Sequence, residues 1–179
     1  VNKSGDSGAK GWEYLQRQTP DGHYLAVNSS LLILNELLGR SSLSYKDFTP
    51  LAILTTEWNA LVVRSDSPYR SGKDLMDALL KHPAYYRIGV APALGNDDHL
   101  SFIMAARQYG VPVKNVHMVV YPGGGDLLPA LLGRYVDAVT CSISEAAAFV
   151  SSGKINLLAI TSPERLSGEL ADVPTWKEQ

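Results

Sequence analysis

The side chains best suited by type to catalysis or metal binding are Asp97, Asp98 and His99, followed by Ser101. A serine hydrolase needs a base within hydrogen-bond reach of its nucleophile. His99 and Ser101 lie two positions apart on a predicted helix and do not face each other, and no G-x-S-x-G sequence occurs. Adjacent residues at a helix start point in different directions, so the Asp-Asp-His cluster is a poor metal site. We therefore expect no catalytic activity and no bound metal.

Three consecutive glycines, Gly123, Gly124 and Gly125, join an apolar β-type segment to a helical pattern. A glycine costs roughly 1 kcal/mol relative to alanine in an ordered helix. The run therefore predicts either backbone with positive φ or a close approach to the backbone. The three glycines are consistent both with a tight connector between a strand and a helix and with a ligand-binding loop. A dinucleotide fingerprint fails because Leu128 stands where the third glycine is required, and no P-loop sequence occurs, so no cofactor is expected.

Composition excludes several classes of protein. The 179 residues are 45% hydrophobic and 19% charged, with a formal net charge of -2, and they hold no cluster of Lys and Arg to attract nucleic acid or an anionic membrane. The apolar runs fall short of the about 20 residues that span a bilayer. Cys141 is the single cysteine and has no disulfide partner in the sequence. The chain starts without Met, and we expect it to be a piece of a longer protein.

The elements that must position these residues alternate regularly in the second half of the chain. Short β-type segments and helical patterns predict consecutive βαβ units and a parallel sheet. Ser142 and Glu145 form a predicted capping box, and Asp126 as N-cap would place Pro129 in the first turn of its helix. Glycines are predicted as left-handed helix ends at positions 110, 133 and 153. The β-type segments are 86–90, 115–121, 136–140 and 155–160, and the helical patterns are 98–110, 126–133 and 144–153.

The first part of the chain predicts a second α/β layer. Segments 23–28 and 51–54 are typical of strands flanking a helix around 30–39, and 60–64 is predicted as an extended crossing segment. A polar stretch at 65–72 leads into a capping box of Ser71 and Asp74. We predict three parts of the chain: residues 1–66 in a first α/β lobe, 67–161 in a second lobe, and 162–179 as a return segment to the first lobe.

A binding site is expected at one edge of the parallel sheet. Ligands of open parallel sheets bind beyond the carboxyl ends of the strands, where helix N-termini offer unpaired N–H groups and partial positive charge. Connections 91–98, 121–126 and 140–143 meet at that edge and predict an anion site. Carboxylates of Asp97, Asp98 and Asp126 lie nearby; they either cap helices or face the ligand, which would then be neutral or carry an amine. His99 and Tyr121 fit either a ligand contact or a structural role.

Dispersed motifs over nearly the whole chain resemble one family. The sequences "NKSGDSGAKGWEYL", "YPGGGDLLPALLGRYVDAV" and "LLAITSPERLSGELADVPTWKE" resemble the Bug-type periplasmic solute-binding receptors of tripartite tricarboxylate transporters. The resemblance implies an α/β protein with the type II periplasmic-binding-protein fold, in which two α/β lobes close on a small carboxylate in a cleft without catalysis. It also implies that the first lobe is incomplete in this chain.

The resemblance also implies site residues. The family's G-[ST]-x-x-H loop matches Gly95, Asn96 and His99, with Asn96 in place of the usual hydroxyl residue. The Y-x-G-G loop matches Tyr121, Gly123 and Gly124. Cys141 stands where the family often has an acidic or amide residue, and Asp126 is unusual. The full expected ligand-binding set is Asn28, Ser29, Ser30, Gly95, Asn96, His99, Tyr121, Gly123, Gly124, Gly125, Cys141 and Ser142.

The expected function is that of a periplasmic, extracytoplasmic solute-binding protein. By the resemblance it captures a small organic acid, either a di- or tricarboxylate or an acidic amino acid, and delivers it to integral membrane permease subunits. We expect a monomer. The alternative is a ligand-sensing regulatory domain of the same fold that feeds a signalling protein. The sequence beyond the last residue would distinguish these two functions, since a sensor continues into a membrane or output module.

Overall fold

The computed structural model describes residues 1–3 and 5–179. The chain divides into two compact units. Unit 1 contains Val1–Thr55 and Gly95–Asp97, and unit 2 contains Thr56–Leu94 and Asp98–Gln179. The predicted crossing segment at 60–64 is a strand of the sheet in unit 2, and the predicted lobe boundary at residue 66 stays a prediction. The predicted return segment also packs on unit 2, where Trp176 lies against the apolar core.

The described residues of unit 1 form two short α-helices, α1 (Ala9–Gln16) and α2 (Leu31–Leu37). Trp12 and Leu32 belong to one small buried cluster. The buried Asn35 side chain donates a 3.1 Å hydrogen bond from Nδ2 to the carbonyl oxygen of Ser7. This cluster is the hydrophobic core of unit 1.

The strands predicted at 23–28 and 51–54 are wrong. No residue of either segment lies in a strand, and Leu25 and Ile53 are 74% and 91% exposed. A β-type sequence forms a strand only when it pairs with a partner and buries one face. Among the described residues, neither segment has such a partner.

Unit 2 is built on one mixed sheet of five strands in the order β3-β2-β4-β1-β5. The strands are β1 (Asn59–Arg64), β2 (Arg87–Val90), β3 (His117–Val120), β4 (Ala138–Ser142) and β5 (Ile155–Ile160). β2 pairs in parallel with both β3 and β4, which confirms the predicted parallel arrangement there. β1 lies antiparallel between β4 and β5. Its residues 60–63 are buried, as expected for a central strand covered on both faces.

Four helices cover the two faces of this sheet: α3 (Gly72–Lys81), α4 (Asp97–Gln108), α5 (Gly124–Leu132) and α6 (Ile143–Val150). Leu127 and Ala146, from α5 and α6, pack against one face of the sheet. Leu75 and Phe102, from α3 and α4, belong to the cluster on the other face. Full burial of a side chain as large as Leu75, Leu127 or Phe102 contributes roughly 1.5–3 kcal/mol to folding. The strand ends are thereby fixed within unit 2.

Capping residues define where several helices begin. The predicted boxes are confirmed: Ser71 Oγ accepts from the Asp74 N–H at 3.1 Å, and Ser142 Oγ accepts from the Glu145 N–H at 3.3 Å. Each box satisfies backbone donors that the helix itself leaves unpaired. These two boxes fix the first turns of α3 and α6.

Two predictions about helix ends are wrong. Gly133 has a φ of -76°, and the left-handed residue is Arg134, with a φ of +64°. Gly123 rather than Asp126 is the N-cap of α5. Pro129 is therefore the sixth residue of the helix and lacks the N–H that would bond the carbonyl of Gly125. The glycines themselves can adopt helical backbone, so the helix starts earlier than the apolar pattern indicated.

Gly110 and Gly153 do have left-handed backbone, with φ values of +81° and +66°, as predicted. None of the helices in the described part of the chain has the length and apolar character required to cross a membrane.

Candidate functional site

The carboxyl ends of three strands lie along one edge of the sheet in unit 2. β2, β3 and β4 run in the same direction, and α4, α5 and α6 follow them in the chain. The N–H of Tyr121, just after β3, donates at 2.9 Å to the carbonyl of Val90 at the end of β2. The predicted edge therefore exists, and the starts of α5 and α6 lie on it.

The three glycines adopt ordinary backbone. Gly123 is extended, with a φ of -172°, and Gly124 and Gly125 are the first two residues of α5. No side chain caps this helix. The first N–H groups of a helix have no acceptor within it, so α5 presents backbone donors and partial positive charge at the sheet edge. Positive φ is thus not the reason for the glycines.

Close approach is the reason at Gly124. A Cβ atom built there would overlap the carboxylate of Glu145, whereas Cβ atoms at Gly123 and Gly125 would meet nothing within 4 Å. The same carboxylate accepts from the N–H of Ser142 through Oε2 at 3.3 Å. Glu145 therefore lies at the start of its own helix, α6, and against the first turn of α5.

Two hydroxyl groups connect this site to a second carboxylate. Ser144 Oγ donates a hydrogen bond to Glu57 Oε1, and Ser142 Oγ lies 3.0 Å from Ser144 Oγ. Because the Ser144 proton is directed to Glu57, Ser144 accepts from Ser142. Ser142 also accepts from the Glu145 N–H. The hydroxyl proton of Ser142 is thus engaged within the protein, and a ligand would have to compete for it.

The thiol of Cys141 is enclosed. It is fully buried in the apolar cluster beneath α5 and α6. Burial raises the pKa of the Cys141 thiol far above its usual value, and the negative charges of Asp98 and Glu145 raise it further. The thiol is therefore neutral at physiological pH and unsuited to nucleophilic or metal chemistry.

The remaining predicted residues fall in both units. His99 and Tyr121 are half-buried in unit 2. Gly95 and Asn96 belong to unit 1, where Gly95 has a φ of +84° and Asn96 is 2% exposed. Asn28, Ser29 and Ser30 are exposed in unit 1, and the hydroxyl of Ser29 accepts from the Leu31 N–H at 3.3 Å.

The predicted ligand set did not include three residues of this edge: Glu57, Ser144 and Glu145. Glu145 was predicted only as a capping residue, although in a capping box the carboxylate at the third helical position reaches back to the backbone N–H of the N-cap residue. That geometry was the available signal for its place at the site. Glu57 precedes β1 and reaches the edge only because β1 is antiparallel to β4, which no local pattern indicates.

The acidic residues Asp97, Asp98 and Asp126 differ in exposure. Asp98 is 8% exposed, whereas Asp97 and Asp126 are exposed. Asp126 lies in the first turn of α5, where its charge favours the helix N-terminus. Among residues 1–3 and 5–179, no group of three His, Cys, Asp or Glu side chains is arranged to hold a metal ion.

Comparison with known proteins places this arrangement in context. A family model described as tripartite tricarboxylate transporter family receptor matches residues 1–179. A protein of Pseudomonas sp. (strain P51), named UPF0065 protein in tcbD-tcbE intergenic region, is 26% identical over 179 residues, which are 99% of this chain and 52% of that protein.

Solved structures give the same result. A TctC solute binding protein from Polaromonas matches with a TM-score of 0.78 and 30% identity, over 99% of this chain and 59% of that one. R. palustris Rpa4515 with adipate matches with a TM-score of 0.86 and 27% identity, over 99% and 58%. MatC from Rhodopseudomonas palustris with bound malate matches with a TM-score of 0.78 and 26% identity, over 97% and 58%. The chain thus spans little more than half the length of these relatives, and the predicted periplasmic-binding-protein fold is confirmed.

Proposed function

This chain belongs to the tripartite tricarboxylate transporter family of receptors, and on that premise we propose that it binds a small organic acid and releases it unchanged to membrane permease subunits. The observation that carries the proposal is the uncapped start of α5 at the carboxyl edge of the parallel strands. Backbone N–H groups in that position are suited to hydrogen-bond an acid.

The proposed binding groups are neutral hydrogen-bond donors. None of the predicted ligand-binding residues is Lys or Arg, so the acid would be held by backbone N–H groups and by hydroxyl, amide and imidazole side chains. A hydrogen bond to a charged group contributes roughly 1.5–3 kcal/mol, so three or four such bonds would contribute about 5–12 kcal/mol before the entropic cost of association is subtracted. In unit 2 these donors would come from His99, Tyr121 and Gly123–Gly125, and from Ser142 once its hydroxyl proton is released from Ser144. The contribution of Cys141 would be restricted to its backbone, because its thiol is buried.

The ligand class is proposed from two relatives. The related structures from R. palustris contain adipate and malate, both of which carry two carboxylates separated by a short carbon chain. We propose a ligand of this size for the present chain.

Isothermal titration calorimetry of the purified protein tests the proposal. The panel contains adipate, malate, citrate, succinate, aspartate and benzoate. We expect saturable binding with a stoichiometry of one for at least one of these acids, and no binding of the matching alcohols or diamides. A protein that binds no acid of the panel would contradict the proposed function.

Delivery to a permease implies a location and an assembly state. We propose that the protein acts in the periplasm as a monomer. Fractionation of cells that express the natural gene should place it in the periplasmic fraction, and sedimentation should give the mass of one chain with and without ligand. A cytoplasmic location would contradict the transport role. A stable dimer would contradict only the proposed monomeric state and not the transport role.

A further inference from the structure

The protein itself places a negative charge at the start of α5, and the consequence for ligand choice rests on the function proposed above. The Glu145 carboxylate occupies the space next to the α-carbon of Gly124. Gly124 is the first residue of α5, which no side chain caps. A ligand that approaches the first N–H groups of α5 therefore meets Glu145.

Two features hold Glu145 in this position. Its Oε2 accepts from the N–H of Ser142, and its own N–H donates to the hydroxyl of Ser142, so the capping box of α6 fixes the side chain. The positive end of α5 is a second attraction for a carboxylate. A ligand that displaced the Glu145 carboxylate would therefore break the hydrogen bond from the Ser142 N–H and weaken the capping box of α6.

A second carboxylate reinforces the charge. Glu57 accepts from Ser144, and Ser144 lies in hydrogen-bond contact with Ser142. The hydroxyl protons are thereby directed toward Glu57 and away from a ligand. The hydroxyl groups of Ser142 and Ser144 consequently do little to offset the negative charge of Glu145 for an incoming acid.

We propose that Glu145 determines specificity by weakening the binding of acids that direct a carboxylate toward α5. Two like charges in neighbouring positions repel, and the repulsion acts only on ligands that are charged at this end. A ligand with an amide, hydroxyl or ammonium group there instead donates a hydrogen bond to Glu145. The preferred ligands are thus acids with a single carboxylate whose opposite end carries an amide or hydroxyl group, since that group accepts from the first N–H groups of α5 and donates to Glu145.

Matched pairs of ligands test this directly. Succinate, glutarate and adipate are each compared with the corresponding half-amide, which has the same shape and one carboxylate fewer. The wild type is compared with Glu145→Gln, because glutamine keeps an oxygen acceptor for the Ser142 N–H. The control is Glu169→Gln, whose carboxylate accepts from Ser151 at the opposite end of α6.

We expect Glu145→Gln to strengthen the binding of the diacids roughly three- to fivefold at low ionic strength, in line with the strength of exposed charge pairs. Binding of the half-amides should be unchanged or weaker, so the ratio of the two dissociation constants changes. The change should decrease in 0.5 M NaCl, where the screening length is only a few Å. Glu169→Gln should leave the ratio as in the wild type.

The outcomes distinguish the two proposals. If the wild type binds these acids and the ratio is the same in Glu145→Gln, the specificity role is wrong and the proposed function stands. Weaker diacid binding by Glu145→Gln also overturns the role, since Glu145 would then assist binding. If neither protein binds any acid, the proposed function itself is wrong.

Two further measurements support the comparison. Thermal melting of each variant verifies that it is folded. Glu145→Ala, which also removes the charge, must change the ratio of the diacid and half-amide dissociation constants in the same direction as Glu145→Gln.

Discussion

The carboxylate of Glu145 fills the space into which a side chain on Gly124 would project. These residues lie 21 positions apart, one at the start of α5 and the other in the first turn of α6. Glycine at 124 thus has a steric cause that is independent of backbone angle, because the residue adopts helical backbone open to any amino acid. Gly125, one position later, has no such neighbour.

Gly124→Val should abolish acid binding while the protein remains folded. The new side chain displaces the Glu145 carboxylate and covers the first N–H groups of α5. Because Glu145 is exposed and its displacement costs mainly the hydrogen bond from the Ser142 N–H, the loss of stability should be modest, about 1 kcal/mol. The readouts are titration calorimetry and the midpoint of urea unfolding.

Gly125→Ala is the matched control for stability. Its Cβ meets no atom within 4 Å, and alanine is favoured over glycine inside a helix by roughly 1 kcal/mol. This variant should be as stable as the wild type or more so. Unchanged affinity in Gly124→Val would place the binding site elsewhere on the protein.

Local sequence was sufficient for the elements that depend on nearest neighbours. The βαβ order, the parallel pairing of β2 with β3 and β4, and the capping boxes at Ser71 and Ser142 follow from periodicity and from residues three positions apart. Since the strand directions fix which ends meet, the edge of the sheet at which the site is proposed was predictable as well.

Features set by distant partners were not predictable. The place of β1 between β4 and β5 depends on which strands it meets in the folded sheet. The segments 23–28 and 51–54 have the composition of strands and no strand partner among the described residues. Glu57 and Glu145 reach the edge through tertiary packing, so their relation to the glycines required coordinates.

Gly72 is required by the ring of Trp176. A Cβ atom at 72 would lie 2.6 Å from Cζ3 of that ring and 3.2 Å from Cβ of Ala159. Gly72→Ala should therefore lower the free energy of unfolding by about 1–3 kcal/mol, the usual cost of overpacking. Gly11→Ala, where the nearest atom is 3.6 Å away, should cause no loss. Equal stabilities in urea unfolding would contradict the packing of Trp176 against the start of α3.

Pro129 removes one hydrogen bond from α5. It is exposed and is the sixth residue of the helix, so the carbonyl of Gly125 lacks its usual donor. Pro129→Ala should raise the free energy of unfolding by about 1 kcal/mol, since the gain in helix propensity exceeds the greater entropy of the unfolded chain. Pro122→Ala, outside the helix, should give no gain. A destabilised Pro129→Ala would show that the proline ring contributes packing that outweighs the missing bond.

Cys141 should resist modification until the protein unfolds. Burial, with the charges of Asp98 and Glu145, raises the pKa of its thiol, and the thiolate is the reactive form. A thiol reagent such as 5,5′-dithiobis(2-nitrobenzoate) should label no cysteine in the native protein at pH 8 and one per chain in urea. Rapid labelling of the native protein at pH 8 would show that the thiol is accessible.

The raised pKa of the Cys141 thiol also predicts how the stability of the protein depends on pH. Below the ordinary thiol pKa of roughly 8.5 both states are protonated; above it the unfolded state loses its proton first, so this group makes stability fall as pH rises. In Cys141→Ala the free energy of unfolding, measured by urea unfolding at a series of pH values, should lose this part of its decrease above about pH 8.5.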